Sequence, residues 1–166
     1  MDPNPTVLKA TDTIECASEF IMTKRYRSLP VVDDNYCYQG MFGVHSLLKM
    51  VIPEAVFLPQ GLKNVNFIHE SFEDLFQRFA LVRDKPVSLY MNNEIYPIEP
   101  DTPLTTTLLQ LYNTHASIPV VEPDSCKLLG MISYWDIGRE ILAAEDTSGE
   151  TNGGSNSRSG GESPNA

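Results

Sequence analysis

The chain has 166 residues, 42% of them hydrophobic, and sets 22 acidic side chains against 12 Lys and Arg, for a formal charge of -10. That length builds one compact domain or two small halves sharing a core. The bases are scattered from Lys9 to Arg158 and form no cationic stripe, so nucleic acid is excluded as an expected partner; no apolar run approaches the roughly 20 residues that span a bilayer, so no membrane segment is expected either.

The opening Met1-Asp2-Pro3-Asn4-Pro5 lacks the basic start and apolar stretch of a secretory leader, which predicts a cytoplasmic location. In chain order, a strand is predicted over 6–9, a helix over 13–24, strands over 30–33 and 38–43, and a helix over 45–51. Cys16, Cys37 and Cys126 are odd in number, with no CxxC spacing and no histidine pair nearby. Neither a disulfide framework nor a zinc site is suggested, and the three read as reduced, partly buried thiols.

Downstream, Ser71 to about Val82 reads as an amphipathic helix with Phe72, Leu75, Phe76 and Phe79 on one face. It is expected to pack on the rest of the domain or to form a dimer contact. A short helix over 86–91 follows, then a strand over 96–99. Pro100-Asp101-Thr102-Pro103 is a helix entry, with Thr102 as N-cap and proline at the first helical position. Leu104, Leu108, Leu111 and Tyr112 recur at spacings of three and four, predicting a helix to about His115 with one apolar face. Strands over 119–122 and 127–132 flank a turn, and a last helix begins at Ser133 with Ile137, Ile141 and Leu142 inward. From Thr147 to Ala166 the chain is almost wholly Ser, Gly, Asn, Thr and Glu, a tail expected to be disordered.

The chain repeats itself. Ser28-Leu29-Pro30-Val31-Val32-Asp33 recurs as Ser117-Ile118-Pro119-Val120-Val121-Glu122, and Cys37 recurs as Cys126. After a one-residue slip, Gly40-Met41-Phe42 recurs as Gly130-Met131-Ile132. The expected division is a first repeat over 1–52, a helical insert over 53–85, a second repeat over 86–144 and a disordered tail over 145–166. Each unit has one apolar sheet face too large to cover alone, so the fold class is α/β (α+β): two β-α-β-β-α repeats packed sheet to sheet around a pseudo-twofold axis, with a helical insert.

These residues resemble tandem CBS domains, whose pairs form a Bateman module, and the resemblance covers about Thr6 to Leu142. It rests on the Pro-Val-Val-Asp/Glu strand in both copies, the Pro-Asp-Thr helix entry, and Gly130-Met131-Ile132-Ser133-Tyr134-Trp135-Asp136, which matches the family's Gly-hydrophobic-x-Ser/Thr-x-x-Asp motif. The resemblance implies regulatory binding of AMP, ADP, ATP or S-adenosylmethionine by a stand-alone module, with no catalytic residues, no metal and no required cofactor. Asp136 would accept hydrogen bonds from both ribose hydroxyls, and Ser133 would donate to a phosphate oxygen at a helix start. Pro97, Ile98, Ile118, Pro119 and Ile132 would wall the adenine slot, and backbone groups near Ala116 and Ser117 would read the base edge. The same Ser-x-x-Asp pattern is also a helix capping box, which forms with or without a ligand.

The first copy departs from the motif. In Gly40-Met41-Phe42-Gly43-Val44-His45-Ser46, Gly43 stands where the hydroxyl belongs and Ser46 where the acid belongs. One standard nucleotide site is therefore expected, in the second copy, beside a degenerate or purely structural first cleft. Lys24, Arg25 and Arg27 read as a solvated basic face. His45, His69 and His115 have no spacing that builds a metal site or catalytic dyad, and no nucleophile is paired with a base. Two functions follow: an adenosyl-ligand sensor, expected as a homodimer acting on an unknown regulated protein, or a ligand-free scaffold or dimerisation module.

Overall fold

The structure, a computed structural model, describes residues 1–53, 56 and 71–149, with side chains to 143. It divides into two units, Met1–Ser133 and Tyr134–Ala166. Along the first run β1 (Leu8–Lys9), α1 (Ile14–Lys24), β2 (Ser28–Val32), β3 (Tyr38–Gly43), α2 (Val44–Val51), α3 (Phe72–Val82), a single 3-10 turn at Val87–Leu89, α4 (Leu104–Thr114), β4 (Ile118–Val121) and β5 (Leu128–Ile132). The second unit is described as one helix, α5 (Tyr134–Gly149).

The two sequence copies fold alike because they carry the same local signals. Thr13 caps α1 by accepting from the Cys16 N–H at 3.3 Å. β1 runs parallel to β2, and β2 antiparallel to β3 with Leu29 opposite Phe42. In the second copy β4 pairs antiparallel with β5, Ile118 opposite Ile132, and Ile98 stands in for β1 as a single parallel bridge to Val120. Each hairpin slips register at the same point, after Val31 and after Val120. Beneath the first sheet, Ile14, Ile21, Val31, Phe42 and Val87 are fully buried, with Phe79 and Val82 of α3 packed against them. Each such side chain contributes about 1.5–3 kcal/mol by leaving water.

The two sheets join through a second core of Val32, Met41, Leu128 and Met131, with Val7, Tyr38 and Ile95 packed around it. The join is reciprocal. The segment leading into the first copy crosses the last strand of the second, where Asp2 and Met131 exchange two backbone hydrogen bonds at 2.9 Å. The segment leading into the second copy crosses the last strand of the first, where Met41 donates to Asn92 at 2.9 Å and Asn92 to Met41 at 2.6 Å. Such exchange is what a pseudo-twofold between the copies requires. Gly40 permits the second crossing: a Cβ there would lie 3.0 Å from the Asn92 carbonyl oxygen and 2.7 Å from Asn93 Oδ1.

Several expectations change. Cys37 and Cys126 are not free thiols but a disulfide with Cα atoms 4.9 Å apart, since the twofold brings equivalent positions of the copies face to face. Cys16 is free and exposed, not partly buried. Thr102 does not cap α4; its Oγ1 accepts from the Glu99 N–H at 3.0 Å, and Pro103 takes the cap position. α4 turns Thr107 and Leu111 to the core and leaves Leu104 and Tyr112 exposed at 64% and 72%. In α3, Phe79 packs inward while Phe72 is 91% exposed. Ile141 and Leu142 are exposed, and α5 continues to Gly149, through residues assigned to the tail, because Ala143-Ala144-Glu145 favours helix. The rest of the tail, His69 and insert residues 54–55 and 57–70 lie outside the described residues.

Candidate ligand site

In the second copy, Ile98, Ser117, Ile118, Pro119 and Ile132 lie on or beside the β4–β5 hairpin. Ile98 is buried and joined to β4 on both sides, its N–H donating to Pro119 and its carbonyl accepting from Val121, both at 2.9 Å. Pro119 has no N–H to donate to the ladder, and its carbonyl accepts the bond from Ile98. Ile118 and Pro119 are fully buried, Ser117 and Ile132 half-buried, and Pro97 exposed. Ser133 closes the first unit. Asp136 sits in the first turn of α5, where Arg139 Nη2 contacts its Oδ1 at 2.7 Å. A carboxylate there is favoured by the helix dipole.

The first copy was expected to be degenerate, yet a cleft of about 800 Å3 opens on it, a volume suited to a small ligand. Its walls are the end of α1 with Tyr26 to Ser28, the β3–α2 junction from Gly43 to Ser46, the segment carrying Asn92, Glu94 and Ile95, and the end of α4 from Thr114 to Ala116. Ala116 is thus placed on the first-copy cleft. Both helix ends on this cleft finish on a left-handed residue that is not glycine: Arg25 at φ 58° and His115 at φ 51°. Each accepts a strained backbone, and each lines the cleft.

The lining is cationic in an acidic chain. Arg25 and Arg27 line it, with Glu94 as the one carboxylate among the described lining residues; His45 and His115 line it too. Val44 at the start of α2 donates to the Arg27 carbonyl at 3.0 Å, and Gly43 offers no side-chain cap to that helix. An anion is the ligand this arrangement suits.

Gly43 has a physical cause. A Cβ at this position would lie 2.6 Å from Ser28 Cα and would strike the Arg27 carbonyl, because β3 ends tight against the start of β2. A hydroxyl-bearing residue has no room. Lys24, Arg25 and Arg27 are solvent-exposed, as expected of a solvated basic face, and Arg25 and Arg27 also line the cleft. Among the described residues, no three His, Cys, Asp or Glu side chains gather as a metal site, and no helix is long and apolar enough to cross a membrane.

The CBS domain family model matches residues 1–52 and 82–143. No curated protein matches the chain. Among solved structures, the CBS-pair protein CBSX2 from Arabidopsis thaliana is 21% identical, with a TM-score of 0.63 over 88% of this chain and 93% of that one. CBSX2 in complex with AMP is 22% identical, with a TM-score of 0.63 over 87% and 94%. CbpB in complex with c-di-AMP is 14% identical, with a TM-score of 0.63 over 88% and 83%. At such identities the likeness shows the fold.

Proposed function

The chain belongs to the CBS domain family as a tandem pair, and from that premise we propose that it is a regulatory sensor of an adenosyl ligand, AMP, ADP, ATP or S-adenosylmethionine. The observation that carries this reading is the cleft of about 800 Å3 whose Arg25 and Arg27 concentrate positive charge in a chain of net charge -10. Proteins of the same fold hold AMP and c-di-AMP, which supports adenine as the base. For the second copy the reading keeps Pro97, Ile98, Ser117, Ile118, Pro119 and Ile132 for the base, Ser133 for a phosphate and Asp136 for the ribose, while Ala116 serves the first-copy cleft. The protein is regulatory rather than catalytic, needs no cofactor, resides in the cytoplasm and acts as a homodimer on a separate protein.

Calorimetric titration with AMP, ADP, ATP and S-adenosylmethionine, with GMP as control, tests the reading. Saturable adenosyl-specific heat lost in Asp136→Ala assigns the second-copy site; loss in Arg25→Ala/Arg27→Ala assigns the first-copy cleft. No heat and no thermal stabilisation with any of the five ends the sensor reading.

A ligand-free scaffold is the second reading, favoured by the apolar surface that α4 leaves at Leu104, Leu108, Leu109 and Tyr112. It predicts self-association of the apo protein, unaffected by nucleotide and lost in Leu108→Glu/Tyr112→Glu by analytical ultracentrifugation.

A further inference from the structure

Cys37 and Cys126 occupy the same position in the two copies and are bonded to each other across the pseudo-twofold. Around the bond lies a short ladder between the two hairpin tips. Tyr38 donates its N–H to the Cys126 carbonyl at 2.9 Å, Leu128 donates to the Tyr36 carbonyl at 3.0 Å, and Cys37 faces Lys127. The clasp is open to solvent, with Cys126 exposed and Cys37 half-buried. Both strands of the ladder hold a left-handed residue, Tyr36 at φ 64° and Cys126 itself at φ 54°, a conformation disfavoured for an L-residue. Exposed disulfides are the labile ones, because a thiolate reaches a sulfur without unfolding the protein. The clasp also reaches the cleft. The hydroxyl of Tyr38 donates to the carbonyl of Ile95 at 2.9 Å, and Ile95 lines the cleft.

We propose that Cys37–Cys126 is a thiol–disulfide exchange site, opened by a soluble dithiol and closed by a soluble disulfide, which clasps the two repeats and sets the mobility of the cleft wall. The reagent's thiolate attacks Cys126 Sγ, and the S–S electron pair leaves on Cys37 Sγ, which takes up a proton. The reagent's second thiolate then attacks its own sulfur in the mixed disulfide and releases Cys126, which is protonated in turn. Two electrons and two protons pass to the protein, and the reagent leaves oxidised. With the clasp open, the tips at Tyr36–Tyr38 and Cys126–Leu128 part more often, and Asn92 to Ile95 move with them. The effect on ligand affinity rests on the reading of the cleft as a ligand site; the clasp does not.

Oxidised full-length protein is treated with reduced dithiothreitol in native buffer, quenched with iodoacetamide and weighed by mass spectrometry. Reduction in direct proportion to dithiol concentration is expected, with faster hydrogen exchange at the Tyr38, Leu128 and Asn92 amides of the reduced protein, reversed by excess oxidised glutathione. Cys37→Ala/Cys126→Ala should exchange like the reduced form; where that variant does not fold, the reduced parent supplies the same comparison. The proposal is overturned if the thiols stay unpaired in excess oxidised glutathione, if reduction proceeds at a rate independent of dithiol, or if exchange at these amides is unchanged. AMP titration of both forms separates the two readings: faster amide exchange with no AMP bound to either form removes the ligand site and leaves the clasp standing.

Discussion

The phenolic O–H of Tyr38 donates to the carbonyl of Ile95 at 2.9 Å, so a strand of the first repeat holds the segment that leads into the second. Burial pushes the Tyr38 hydroxyl far above the usual tyrosine range and keeps it a neutral donor. The folded protein therefore retains a proton that the unfolded chain releases near pH ~10. Stability from this group is complete below that pH and falls as pH rises above it. Urea midpoints at pH 8, 10 and 11 should show an alkaline loss in the parent that is absent in Tyr38→Phe. At pH 8 the variant should be weaker by about 1–2 kcal/mol, since it leaves the Ile95 carbonyl without its donor. Equal alkaline slopes in the two proteins would show that Tyr38 ionises without unfolding.

Gly43 accounts for the departure of the first copy from the family motif, and substitution tests it. In Gly43→Ser the new Cβ meets Ser28 Cα at 2.6 Å, and the Arg27 carbonyl blocks the other direction. Forcing β2 and β3 apart should cost about 1–3 kcal/mol, read as a lowered urea midpoint, with no gain in AMP affinity by calorimetry. A variant as stable as the parent that binds AMP more tightly would mean that the missing hydroxyl is a matter of ligand choice and not of packing.

The duplicated Pro-Val-Val strands were legible because β-branched runs and a repeated order of elements act locally, and they became β2 and β4. Helical spacing in α4 was equally legible, but spacing gives a face and not what covers it. The core took Thr107 and Leu111, one of them polar, and left Leu104 and Tyr112 outside. The offset joining Cys37 to Cys126 was visible as a repeat, but their bond needs the twofold, which no local pattern encodes. Arg25 and Arg27 entered the cleft for a similar reason. A left-handed turn at a non-glycine residue has no sequence signal, and the turn at Arg25 leads the chain along the cleft that Arg25 and Arg27, both exposed, help to line.

Ser71 and Asp74 form a reciprocal cap on α3: Ser71 Oγ accepts from the Asp74 N–H at 3.2 Å, and Asp74 Oδ2 accepts from the Ser71 N–H at 2.8 Å. Hydrogen bonds from the Ser71 side chain and then its backbone, with the Arg78 charge behind them, hold the Asp74 carboxyl below the usual range. Its contribution is present above the unfolded value near pH ~3.9 and is lost as pH falls below it. The helix it starts delivers Arg78, whose Nη1 donates to the Val51 carbonyl at 2.6 Å. Asp74→Asn should flatten the acid limb of stability between pH 5 and 2.5, measured by thermal melts across that range. An acid limb identical to the parent's would show that the capping box is not formed in solution.

Arg25 sets stability against binding at one position. Its φ of 58° ends α1 with the amide bonded back to Ile21 and Met22, a cap that glycine adopts without the steric cost an L-residue bears. Arg25→Gly should therefore raise stability by about 1 kcal/mol, seen as a higher urea midpoint. It also takes a guanidinium from the lining of the cleft that is proposed to bind an anion through Arg25 and Arg27. Affinity for ADP should fall in the same variant, and fall less for S-adenosylmethionine, which carries no phosphate. Opposite signs in the two measurements are the signature of a strained residue retained for its charge. A variant that gains stability and keeps its ADP affinity would place the Arg25 side chain away from the ligand and leave Arg27 as the cation of that wall.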